Sequence, residues 1–384
     1  MNICSSIPAV TFPSYAGRYR IGGHIVDLRS LRLADAASWR KTNLDHEEWL
    51  RPAFGDPGTD WNTRRSTAAW AEEWWDARNG KDVLLSRVLT VDDGAEQRVV
   101  GQQSMRGPDP RTGHAESLTW VAGLPASKPV TLWMSAVNLL DTFVQNPQVS
   151  ALLAVQPVEN RGSLMLAKAL GFTYLQTARA LREYAGEPTD HTVYVMHNTP
   201  ESRRGLKDVI ASVTPEAMPA RRLPPPPARS AIDLARISVR RVRARRGARG
   251  ATSVRAFPER ARTDDGIDIT FGADPHGRHP VSADGESIGA LQIHIDEGSS
   301  TTTIIDWLHA DTPAAIGAAA VVTACRAAAE LQATRRLTVA LADRHDRARD
   351  ALAAIGFSSE GPTLPTLGDL DMPRESWTRL RPDG

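Results

Sequence analysis

The stretch "VENRGSLMLAKALGF", residues 158–172, contains both ends of a helix and follows directly on a strand. Residues 151–155 are a short apolar run of strand type, which Pro157 breaks. Asn160 has the side chain of an N-cap, and Leu164, Ala167 and Leu170 follow at helical spacing. Gly171 then supplies the left-handed residue that ends such a helix.

Outward from this stretch, strand and helix alternate. "IVDLRSLRLAD" is strand-like and runs into a helix at "AASWRKTNL", and "TRRSTAAWAEEWWDARNG" is a second helix that ends at Gly80. "DVLLSRVLTVDDGAEQRVVGQQSMR" reads as a hairpin turning at Asp92, Asp93 and Gly94. "AESLTWVAG" is another strand, and a helix is expected over about residues 131–144. Residues 14–198 therefore read as an α/β domain with a central mixed sheet flanked by helices.

A chain of 384 residues, 41% of them hydrophobic, has material for two or three domains. Cys4 and Cys325 offer neither a disulfide framework nor a metal site of paired cysteines, and a reducing cytoplasm is the expected setting. No apolar run approaches the roughly 20 residues of a membrane span, and the first thirteen residues lack the charged start and apolar core of a signal peptide. A net charge of +1 makes no global case for a nucleic-acid partner. The local case is residues 229–262, where clusters such as "RRVRARRGARG" follow the proline run 224–227. With little to bury, 199–264 reads as a Pro/Arg-rich linker. No aromatic residues interleave its arginines as a single-strand stacking platform would require, but an electrostatic contact with RNA, DNA or ribosome stays open.

The ordered series "LRSLRLADAASW", "NLDHEEWLRP", "RVVG", "AESLTWV" and "PVENRGSLMLAKALGF" resembles the GNAT superfamily of acetyl-CoA-dependent N-acetyltransferases, in its RimJ/RimL-like branch, over most of residues 20–185. The resemblance implies acetyl-CoA as co-substrate and an amine acceptor, either a small molecule or a protein N-terminus. It places Asn160 and Ser163 beside the thioester, with Ser163 steadying the departing thiolate. Glu116 is the matching candidate for the base. Val121, just past the fourth strand of the family, is the candidate for the backbone N–H that meets the carbonyl oxygen, with Ala122 beside it. Lys128, Val130 and Thr131 fall on the pyrophosphate loop. There the sequence departs from the family's Gly-rich pattern: "GLPASKPVTLWMSA" has Pro129, which lacks a donor, and Val130 and Thr131 where small residues are usual. On the acceptor side, within a Trp-rich region whose rings mostly suit a core, Asn43 and Trp49 are the candidates.

The opening pattern recurs. "RRLTVALADRHDRARDALAAIGF" repeats strand, helix and Gly-Phe ending at an offset of about 185 residues, and Trp307 answers Trp120. Residues 265–384 thus resemble a shortened second GNAT-like domain, with His345 and Ala348 where Asn160 and Ser163 stand. The expected architecture is a tandem of α/β (α+β) domains joined by the linker. Three functions stay open at this point: an active N-acetyltransferase, a catalytically inactive acyl-CoA-binding or interaction protein, and a ribosome- or nucleic-acid-associated adaptor. No metal site is expected, and the sequence does not fix an oligomeric state.

Overall fold

The computed structural model describes residues 15–54, 60–80, 82–94, 97–109, 111–184, 187–219, 260–262, 266–272, 278–296, 301–330, 334–343, 345–365 and 372–381. Most of the arginine-rich stretch 229–262, and with it the expected nucleic-acid contact, lies outside them. The chain divides into two units, Met1–Tyr174 with Tyr194–Arg241, and Leu175–Val193 with Val242–Gly384.

The first unit opens with β1 (Tyr15–Ile21) and β2 (His24–Ser30), followed by α1 (Ala36–Asp45), α2 (Glu47–Leu50), α3 (Trp61–Arg64) and α4 (Thr67–Asn79). The hairpin expected at 82–106 is β3 (Val83–Asp92) and β4 (Gln97–Arg106). Then come β5 (His114–Val121), α5 (Lys128–Gln145), β6 (Ala151–Pro157), α6 (Arg161–Leu170), β7 (Thr173–Tyr184), β8 (Glu187–His197), α7 (Pro200–Ser212) and β9 (Glu216–Ala217). The sheet order is β7-β8-β6-β5-β4-β3-β2-β1-β9. β1 to β5 run antiparallel, and β5 pairs β6 in parallel.

Alternation along the central strands builds a core on each face of this sheet. Val88 and Val99 meet Trp39, Trp61, Trp70 and Trp120 in one cluster. Leu89 and Val100 pack with Val130, Trp133 and Met134 of α5 in another, which Leu139, Ala167, Leu170 and Leu206 continue as a third. The tryptophans expected in a core are there: Trp39, Trp61 and Trp70 are buried, each at 3% exposure or less.

Residues 199–217 are not linker. Thr199 caps α7 through its side chain, Leu206 is buried, and Val209 and Ile210 pack on the same apolar cluster. Glu216 and Ala217 pair with β1. An apolar face at helical spacing outweighs the polar composition around it.

In the second unit, β10 (Arg260–Arg262), β11 (Asp268–Phe271), β12 (Arg278–Ala283), β13 (Glu286–Asp296) and β14 (Thr301–Leu308) precede α8 (Ala314–Ala329). β15 (Arg336–Ala342), α9 (Asp346–Ala354), β16 (Ser358–Thr363) and β17 (Arg374–Leu380) complete it. The order β10-β11-β12-β13-β14-β15-β17-β16, with β14 parallel to β15, reproduces the run from β1 to β8 strand for strand. The last strand inserts beside the parallel pair in both, as β8 does between β6 and β7 and β17 between β15 and β16. The repeat extends to a glycine. Gly101 pairs with Val121, and a Cβ there would lie 2.8 Å from the Trp120 carbonyl oxygen. Gly289 pairs with Leu308, and its Cβ would lie 2.6 Å from that of Trp307.

The division between the units does not fall at residue 198. The outer part of the β7–β8 hairpin, Leu175–Val193, belongs with the second unit. The Arg179 N–H donates to Glu360 Oε1 (2.9 Å), and its guanidinium donates to the Thr378 carbonyl (3.0 Å). Arg336 donates to the Arg179 carbonyl (2.9 Å) and pairs with Glu360, whose side chain is 1% exposed. Among the described residues, no helix is long and apolar enough to cross a membrane, and no cluster of His, Cys, Asp or Glu could hold a metal ion.

Candidate active site

The first unit's central feature is the place where its parallel strands part. β5 and β6 are in register from His114↔Ala151 to Glu116↔Leu153 and no further. Ser117, Leu118 and Thr119 on one side and residues 154–157 on the other therefore wall a cleft of about 700 Å³, part of it open to solvent. Ser135 and Leu139 of α5 and Asn160, Ser163, Leu166 and Leu170 of α6 line it from one face of the sheet. Ala53 and Phe54, which follow α2, line it as well. Since Phe54 packs in the tryptophan cluster of the opposite face, the cleft passes through the sheet.

Strand register decides which amides face the gap. The Ala122 N–H donates to the Val100 carbonyl (2.8 Å), on the β4 side. Alternate residues point their N–H groups to opposite edges, and the β4–β5 register is regular from Gly101↔Val121 to Arg106↔Glu116. The amides of Val121 and, one step deeper, Thr119 thus face β6 across the gap. Ala122 does not, since its donor is already engaged.

Asn160 and Ser163 sit together at the head of α6. Asn160 Oδ1 accepts the Ser163 N–H (3.1 Å), so Asn160 does cap the helix. The Ser163 hydroxyl lines the cleft with no hydrogen-bond partner among the described residues.

The other expected residues are dispersed. Glu116 lies on the face of β5 shared with Leu118 and Trp120 and is not among the lining residues. In the loop before α5, the Thr131 N–H and hydroxyl both donate to the Ser127 carbonyl (2.8 and 2.9 Å), and the Val130 side chain is fully buried in the core. Neither of those side chains can serve a phosphate. Lys128 is exposed at the first position of α5, where the helix-start N–H groups have no partner within the helix. Asn43 does not reach the acceptor side. It is fully buried one helical turn after Trp39, donates to the Trp39 carbonyl (2.9 Å) and accepts the Trp61 indole N–H on its own carbonyl (3.2 Å). Trp49 is 79% exposed and does not line the cleft.

Sequence reading missed several lining residues: Ser117, Thr119, Gln103 and Ser135, together with Ala53 and Phe54. It also missed Arg65, whose guanidinium lies 4.4 Å from the Phe54 ring centroid and 4.2 Å from that of Trp61. Burial, reinforced by neighbouring Arg64, pushes its pKa down to about 10, so it stays charged at neutral pH.

In the second unit the corresponding strand ends are tied together by a buried carboxylate. β14 and β15 are in register as far as Ile305↔Ala340, and the next residue, Asp306, is fully buried. Its carboxylate accepts from His345 Nδ1, the Leu308 N–H (2.9 Å) and the Ala342 N–H (3.3 Å), and its carbonyl accepts from Arg374. His345 thus takes the helix-start place of Asn160, and Ala348 packs fully buried in the core.

Residues 28–193 match the family of the Acetyltransferase (GNAT) domain. They form a GNAT acetyltransferase domain. The reaction class of this domain is acyl transfer, and the co-substrate of such a domain is acetyl-CoA. Among solved structures, the chain is similar to Mycobacterium smegmatis RimJ in complex with CoA-disulfide, at 23% identity and TM-score 0.47 over 54% of this chain and 98% of that one. It is also similar to the microcin C7 self-immunity acetyltransferase MccE in complex with acetyl-CoA and AMP (15%, TM-score 0.38, 45% and 92%). A third likeness is to the Salmonella typhimurium acetyl transferase that modifies the N-terminal serine of ribosomal protein L7/L12 (14%, TM-score 0.37, 45% and 94%). No curated protein matches the sequence.

Proposed function

We propose that the GNAT domain transfers the acetyl group of acetyl-CoA to an α-amino group, at a protein N-terminus or on a small amine, in the gap between β5 and β6. The observation that carries this reading is the parted strand pair, with the Val121 and Thr119 amides facing the gap and the Ser163 hydroxyl lining it. The amine nitrogen attacks the thioester carbon. The oxygen that gains charge meets the Val121 N–H, with Thr119 as the deeper donor. Collapse of the adduct breaks the C–S bond, and the Ser163 O–H donates to the departing thiolate. Glu116, on the face of β5 that it shares with Leu118 and Trp120, takes the amine's proton through solvent. The second unit, with its opening closed by Asp306 and His345, is read as a degenerate GNAT-like domain without a donor site. The free thiol of Cys325 suits a reducing cytoplasm.

The preference for an α-amine comes from the cleft walls, which include no carboxylate, His, Lys or Arg. With so weak a base at hand, the acceptor must arrive neutral. An α-amino group of pKa about 7.7–8.0 does so readily, whereas roughly a thousandth of a lysine side chain near 10.4 is neutral at pH 7.4. The purified protein should bind acetyl-CoA in calorimetry and release thiol with peptides bearing a free α-amine. Nα-blocked lysine peptides should react at least about a hundredfold more slowly at pH 7.4. Equal rates on both would exclude the α-amine. Binding without turnover on any amine would favour an acyl-CoA-binding protein, for which the altered loop at Pro129 already gives an argument.

A further inference from the structure

A chain of buried hydrogen bonds enters the cleft from behind. Arg87, 1% exposed, donates to Asp141 (2.7 Å) and to Asn138 Oδ1 (2.9 Å). Asn138 Nδ2 donates to Gln103 Oε1 (3.0 Å), and Gln103 Nε2 donates to Ser117 Oγ (3.0 Å). Polarity fixes each step. A guanidinium has no acceptor, so Asn138 must present its oxygen to Arg87 and its NH₂ to Gln103, which in turn must present its own NH₂ to Ser117. The Ser117 oxygen therefore accepts, and its proton has no acceptor among the described residues. Ser117 lines the cleft, so this hydroxyl is a donor held ready for whatever enters.

A second hydroxyl lines the same cleft. Ser135 Oγ is buried, its residue is 0% exposed, and it has no hydrogen-bond partner. A buried hydroxyl without a partner costs free energy unless a ligand supplies one.

The cleft is also longer than an acetyl group requires. It extends from Ser163 along α6 to Leu170 and Phe172, and seven residues at 1.5 Å each make about 10 Å. Leu139, Leu166, Leu170 and Phe172 give this part an apolar wall, and Ser117 and Ser135 give it two polar points.

We propose that the part of the cleft beyond Ser163 is an acyl pocket selecting, among acyl groups longer than acetyl, those that carry a neutral oxygen for Ser117 and Ser135, such as a 3-hydroxyacyl group. The inference rests on the acetyltransferase reading above. A carboxylate at the end of the acyl chain does not suit the pocket, because no cation lines it and a buried charge would lie unpaired. The transfer balances as for acetyl: the acyl C–S bond breaks, the C–N bond forms, the thiol leaves with a proton, and the amine loses one.

The test compares acetyl-CoA, butyryl-CoA, 3-hydroxybutyryl-CoA (both enantiomers) and succinyl-CoA with one peptide amine on the full chain. For the wild type, kcat/KM for one 3-hydroxybutyryl enantiomer should exceed that for butyryl-CoA at least about tenfold, since a site built to hydrogen-bond a hydroxyl discriminates against its absence. Succinyl-CoA should fall below both. In Ser117→Ala and Ser135→Ala the ratio of hydroxybutyryl to butyryl should fall toward one. Gln103→Glu tests the direction of the chain while leaving both hydroxyls in place: a carboxylate accepts from Ser117, its proton turns out of the cleft, and the ratio should fall here too. A wild-type ratio of one or less, or a ratio that survives all three substitutions, overturns the acyl pocket. If that happens while acetyl-CoA is bound and turned over, the acetyltransferase reading stands. If no acyl-CoA binds, both fall.

Discussion

Ser163→Ala should lower kcat with acetyl-CoA tenfold to a thousandfold, about 1.4–4 kcal/mol of transition-state stabilisation, and should leave acetyl-CoA affinity and melting temperature near those of the wild type. The expectation follows from what the hydroxyl does not do. It bonds to nothing else among the described residues, and the helix start is secured by the Asn160 side chain on the Ser163 backbone N–H. Deleting the hydroxyl therefore removes no structural bond, and a fall in kcat would report the loss of the donor proposed for the thiolate. Asn160→Ala is the contrast, because it loses a helix cap worth about 1 kcal/mol and its main effect is on stability. Steady-state kinetics with parallel thermal melts separates the two. Unchanged kcat in Ser163→Ala would remove the serine from the reaction.

Asp306→Ala should destabilise the second unit by about 3 kcal/mol or more, since each buried donor left without its acceptor costs about 1–3 kcal/mol. The carboxylate holds His345, the start of α9 and the ends of β14 and β15 at one point, and it is fully buried. Its loss leaves His345 and two backbone N–H groups without their acceptor. Hydrogen exchange followed by mass spectrometry reads the effect locally: protection should drop in α9, β14 and β15. A global urea midpoint is less suitable, since a chain of two units need not unfold in one step. A local change below about 1 kcal/mol would mean that solvent replaces the carboxylate, and that the second unit retains an open cleft.

How far the sequence was legible depends on the range of the interaction involved. The helix from Asn160 to Gly171 rests on chemistry within a few residues, and both ends are as read: Asn160 caps through its side chain, and Gly171 has φ 91°. The hairpin at Asp92 and Gly94 is of the same kind, with Gly94 donating to Asp92 Oδ1 (3.0 Å). The strand order that recurs in the second unit was foreshadowed by Trp120, Trp307 and the two Gly-Phe pairs, because a sequence repeat needs no knowledge of contacts. Asn43 was misplaced for want of one step of helix phase, since four residues after Trp39 it must share that residue's inward face. The start of the linker was misread because Leu206, Val209 and Ile210, an apolar face, lie beside a Pro- and Arg-rich stretch that dominates composition. Ser117 and Ser135 were not legible, because their significance comes from Arg87, Asn138 and Gln103, which only the fold brings into line.

The outer β7–β8 hairpin changes what it means to divide this protein. Arg179 is bound by Glu360 and Arg336, residues far along the chain, and yet it is flanked by Tyr174 and Tyr194, which belong to the first unit. A protease site engineered into 220–259 and cut would therefore not release two independent fragments. The first would keep its hairpin folded into the second, and the nicked halves should elute as one species until denaturant loosens the Arg179–Glu360–Arg336 cluster. Expressing either half by itself would leave that cluster incomplete, with Glu360 buried and short of a cation or with Arg179 bare to solvent.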